Sequence, residues 1–109
     1  MATIETAWRK GGKPIRYYSS QINVELGDVV ELRVWFRWRR GIINYVPGIS
    51  EPHSEMEHNA LFWVGIARDD GRFTADIVDP DTGCTRNIIR FVSRGDANDL
   101  PLVPEAPWQ

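Results

Sequence analysis

Apolar and polar residues alternate with a period of two along much of this chain. Between residues 29 and 39, Val30, Leu32, Val34, Phe36 and Trp38 fall on one side, and Glu31, Arg33, Trp35, Arg37 and Arg39 on the other. That is the pattern of a strand with one buried face, and its β-branched and aromatic content suits a pleated surface. The spacing therefore predicts one long strand over 29–39. Residues 22–26 alternate in the same way and end on the turn pair Gly27 and Asp28, and a further short strand is read over 15–18. Beyond the long strand, Arg40 and Gly41 read as a tight reversal and 42–46 as its hairpin partner, stopped by Pro47 and Gly48.

Residues 47–59 hold two prolines, few apolar positions and no period, and are assigned to a long loop. The unbroken apolar run 61–67 reads as a central strand covered on both faces. Asp69, Asp70 and Gly71 mark a hairpin turn into a strand over 73–77, and 79–83 mark another reversal. The last strand is read over 84–92, with a bulge at the adjacent Ile88 and Ile89. Six to seven short strands and no convincing helix predict an all-β fold: a small antiparallel β-barrel, with a β-sandwich as the alternative. Pro101, Pro104 and Pro107 keep the C-terminus out of a sheet interior. The expected organisation is a single all-β domain over 1–97 and an extended Pro-rich tail over 98–109 that packs on the domain or on a partner.

At 109 residues the chain has room for one domain and enough core to fold without staples. Its single Cys84 excludes an internal disulfide and any CxxC site, and is expected as a small buried hydrophobe. No apolar run approaches the roughly 20 residues of a membrane helix, and the N-terminus lacks a signal peptide's apolar centre. A cytoplasmic protein with no membrane partner is expected. The net charge of -2 hides an asymmetry: residues 1–48 carry eight Lys/Arg against four Asp/Glu, and residues 49–109 carry five against eleven. Only Lys10 and Lys13 among the basic residues are lysines. Guanidinium groups suit planar recognition of carboxylates, phosphates and aromatic faces. The plainer reading is that the two halves neutralise each other across the fold.

Two groups of residues carry candidate chemistry. Arg33, Trp35, Arg37 and Arg39 form a basic-aromatic stripe on the expected outward strand face; Tyr45 adds a second ring across the hairpin if the turn is Arg39, Arg40 and Gly41, Val46 lies there if it is Arg40 and Gly41 alone, and Trp108 ends the tail. Trp, Tyr and Arg anchor protein interfaces, and the same residue types track single-stranded nucleic acid. The expected function is a non-enzymatic module that binds a macromolecular partner, chiefly protein, with self-association included. Single-stranded nucleic-acid binding is one alternative. The other is a small metal-dependent or acid-base enzyme using His53, Glu55, Glu57 and His58, imidazoles and carboxylates that suit a metal's first shell. No HExxH pattern accompanies them, and no cofactor is expected.

Overall fold

The computed structural model describes residues 15–46, 63–79, 81–98 and 100–103. Among these the fold is all-β, built on five antiparallel strands: β1 (Val29–Val34), β2 (Arg37–Tyr45), β3 (Trp63–Arg68), β4 (Phe73–Ile77) and β5 (Ile89–Ser93). They form one sheet in the order β4-β3-β2-β1-β5. Because β4 and β5 end the sheet without pairing to each other, it is not closed into the expected barrel.

The largest departure lies in the expected strand over 29–39. The chain reverses inside it, at Trp35 and Phe36, and Val34 pairs with Arg37 in a two-residue hairpin. Trp35 has a φ of 58°. Gly41, expected in the reversal, lies inside β2 opposite Val30. It is there for space: a Cβ at this position would sit 2.6 Å from Ile66 Cγ2 and 3.0 Å from the Ala67 carbonyl oxygen. The hairpin register puts Val30, Leu32 and Val34 on one face with Gly41, Arg39 and Arg37, while Glu31 and Arg33 share the other with Arg40 and Trp38.

The first of these faces carries the main core. Val30, Leu32, Ile43, Val64, Ile66 and Ile89 from the strands pack with Ile15, Tyr17, Val24, Val46 and Val78. Residues 15–17, 23–24 and 84–85 do not make the full strands expected of them. They are tied by single bridges, Arg16 to Asn23, Arg16 to Cys84 and Val78 to Thr85. Gln21, φ 60°, sits in the turn between the first two, which Tyr17 N–H to the Ile22 carbonyl and Val24 N–H to the Ile15 carbonyl hold together. Cys84 is buried, as expected.

The far end of the reverse face holds a second cluster. Tyr45 stacks on Trp63 at 4.1 Å between ring centroids, and Trp63 meets Phe73 edge-on at 6.1 Å. The β2–β3 register shifts at this point, so that Gly65 faces Tyr45. A Cβ on Gly65 would lie 2.7–2.9 Å from Asn44 Oδ1, Tyr45 Cβ and the Phe73 ring, so the aromatic cluster occupies the space a side chain would need. Val103 packs against it, and Asn44 Nδ2 donates to the Pro101 carbonyl at 3.1 Å.

Candidate interaction surface at the β1–β2 tip

Glycine or asparagine normally occupies a left-handed turn position, because an L side chain there costs about 1–2 kcal/mol. This hairpin instead holds Trp35 and Phe36 at its tip, 87% and 89% exposed. The sign pattern, positive φ at the first turn residue only, is that of a type II′ turn, whose twist matches the strands it joins. Two large apolar side chains are thus carried beyond the end of the core, side by side in solvent.

Alternation then distributes the arginines to both sides of the tip. Arg37 and Arg39 stand on the core face opposite Val34 and Leu32, and β3 adds Arg68 opposite Gly41. Arg72, from the β3–β4 turn, accepts the Arg68 N–H with its carbonyl at 2.8 Å and completes a recess of about 630 Å³ under the tip. Arg68 Nη2 donates to Asp70 at 2.5 Å, and Arg39 lies 3.7 Å from Asp70 and 4.0 Å from Asp69. Desolvation opposes ionisation of Asp70, but the Arg72 N–H and the Arg68 guanidinium outweigh it and hold this carboxyl below the ordinary aspartate range.

The reverse face of the tip carries Arg33, Trp38 and Arg40. Trp38, expected in the core, lies here at 38% exposure because the reversal changes its side. The Arg90 guanidinium lies 3.5 Å from its ring centroid and 3.3 Å from Glu31. Among the described residues, Arg33, Arg37, Arg40 and Arg72 have no carboxylate partner.

The expected stripe is therefore split. Arg33 lies on one face, Arg37 and Arg39 on the other, and Trp35 in the turn between them. Tyr45 is 4% exposed and stacked on Trp63 eight residues along β2 from Arg37, so it makes no platform with Trp35 and is not an outward binding residue. Phe36, expected inside, stands at the most exposed point of the tip. Arg68 and Arg72 were not singled out by sequence reasoning. Their positions flanking the Asp-Asp-Gly turn were the available signal, since that turn lies beside the start of β2 once the hairpin is placed.

Trp108 and the cluster His53, Glu55, Glu57 and His58 lie outside the described residues. Among the described residues no group of three or more His, Cys, Asp or Glu side chains is placed to hold a metal, and no helix is long and apolar enough to cross a membrane. In comparisons with known proteins, no family model matches the chain, and neither a curated protein nor a solved structure matches it.

Proposed function

We propose that this protein is a non-enzymatic interaction module that docks a protein partner, a second copy of itself included, through the tip of the β1–β2 hairpin. Trp35 and Phe36 carry this reading: both are almost wholly exposed, on a turn whose first residue pays a backbone penalty to be there. Each large apolar side chain left in water forgoes roughly 1.5–3 kcal/mol of burial, which a partner's surface recovers. Arg37 and Arg72, beside the tip and without an acid partner among the described residues, flank the aromatic anchor with groups that confer orientation and specificity. Nucleic acid is less well supported, because Arg90 covers the ring of Trp38 and the half of the chain from residue 49 onward is strongly acidic. Of the two expected placements of the tail, the contacts of Pro101 and Val103 favour packing on its own domain.

Affinity capture from cell extract, using the wild-type chain and a Trp35→Ala/Phe36→Ala variant, followed by calorimetry with the purified captured protein, tests the docking role. Size-exclusion chromatography with light scattering reads self-association. The expected result is a partner, or a dimer, whose binding weakens by about 2 kcal/mol or more in the variant. A partner held equally by both chains, or neither partner nor dimer with the wild type, overturns the reading.

A further inference from the structure

The recess under the hairpin tip is walled by Trp35 and Phe36 and by Arg37, Arg39, Arg68 and Arg72. Its charges do not balance. The recess lining includes one carboxylate, Asp70, while Asp69 approaches Arg39 from beside it. Four guanidinium groups thus face two carboxylates. Arg68 and Arg39 are engaged with these acids, whereas Arg37 and Arg72 have no acid partner among the described residues. The buried Nε–H of Arg68 also lacks an acceptor among them. The pairing of Arg68 Nη2 with Asp70 shows that this environment holds a carboxylate against a guanidinium, with the Nε–H of the same fork still open.

We propose that this recess seats a carboxylate side chain from an acidic segment of the protein partner, placed between Arg37 and Arg72, with an apolar neighbour of that residue lying against Trp35 and Phe36. This rests on the docking role of the tip and supplies the partner's chemistry. The resident acids favour a peptide over a nucleic acid, because a phosphate backbone carries a charge at every nucleotide and meets Asp69 and Asp70 wherever it tracks the arginines. An isolated carboxylate beside an apolar residue meets the two free guanidinium groups without that repulsion.

The test is calorimetry at low salt with a capped peptide of alternating glutamate and leucine, with its glutamine counterpart, and with inorganic phosphate and an oligothymidylate as the other arms. The glutamate peptide is expected to bind and the glutamine peptide not. Arg37→Gln/Arg72→Gln is expected to weaken binding by about tenfold or more, while Arg33→Gln/Arg40→Gln, on the reverse face, leaves it within about threefold. Equal losses in the two double variants, or no binding of the glutamate peptide, overturn the proposal. So does tighter binding of phosphate or the oligonucleotide that Arg37→Gln/Arg72→Gln abolishes. If Trp35→Ala/Phe36→Ala loses the captured partner while Arg37→Gln/Arg72→Gln retains it, the recess proposal falls and the docking role of the tip stands.

Discussion

Asp28 is 1% exposed, yet its carboxylate is well matched. Oδ2 accepts from the Tyr17 hydroxyl at 2.7 Å and from the Glu25 N–H at 2.9 Å, and Arg94 Nη1 reaches both oxygens at 2.8–2.9 Å. These bonds pin residues 15–17 and the chain after β5 to the turn before β1. Gly27 and Gly95 let the last two segments touch: a Cβ on Gly27 would meet the Asp96 carbonyl at 2.5 Å. Burial first, and the bond to Asp28 second, push the Tyr17 hydroxyl's pKa well above the ordinary tyrosine value. The fold therefore keeps the proton that an unfolded tyrosine releases near pH 10. Stability is intact below that pH and falls as pH rises above it, by about 1.4 kcal/mol per unit from this group. Tyr17→Phe is expected to lose about 1–3 kcal/mol at neutral pH, from the donor taken from a buried carboxylate, and to flatten the alkaline slope. Urea unfolding at neutral pH and through pH 9–11 reads both, and an unchanged slope in the variant refutes the assignment. Sequence showed Gly27 and Asp28 as a turn pair only, because their partners arrive from 11 and 66 residues away through the register of the whole fold.

The β1–β2 hairpin shows which elements alternation reveals and which it hides. Strands were legible over 73–77 and, within a residue or two, in the apolar run that becomes β3, because β3 is buried on both faces and Phe73 and Ala75 of β4 pack half-buried on the cluster of Tyr45 and Trp63. The reversal was not. Trp and Phe are poor turn formers by propensity. A two-residue turn shifts the phase of the alternation by one, but with Arg37 and Arg39 on the core side and Trp38 on the reverse side the apolar positions keep their old phase and hide the shift. Gly41 drew the reversal to the wrong place because glycine serves close packing as well as turning, and its backbone here is not left-handed. If Trp35 is kept for binding rather than folding, replacing it should help the fold. Trp35→Asn, which suits a positive φ and removes almost no packing, is expected to raise the unfolding free energy by about 0.5–1 kcal/mol while abolishing partner binding. Thermal unfolding checks the first effect and calorimetry with the captured partner the second. A less stable variant would mean that the indole supports the hairpin.

Across the whole molecule, charge and tail distinguish the hairpin tip from the far end of β2. The two halves pair across the fold in both directions: Arg39 of the basic half faces Asp69 and Asp70, while Glu31 and Asp28 face Arg90 and Arg94 of the acidic half. Among the described residues Arg33, Arg37 and Arg40, near the tip, have no acid partner, and neither has Arg16 away from it. Composition gave the asymmetry, but which arginines remain unmatched depends on the strand register. From the tip, β2 runs about 26 Å to Tyr45, taking eight residues at about 3.3 Å each. There Pro101 accepts from the buried Asn44, and Val103 packs on the cluster of Tyr45 and Trp63. Deleting residues 98–109 removes that acceptor and uncovers two stacked rings, a loss expected at about 2 kcal/mol or more. Pro101 and Leu102 border Arg68 and Arg72 but not Trp35, Phe36 or Arg37, and the same deletion is expected to leave affinity for the glutamate peptide within about threefold. Urea unfolding and calorimetry on one truncated chain separate the two effects. Unchanged stability would show that the tail contributes nothing to its own domain, and lost peptide binding would place part of the site in the tail.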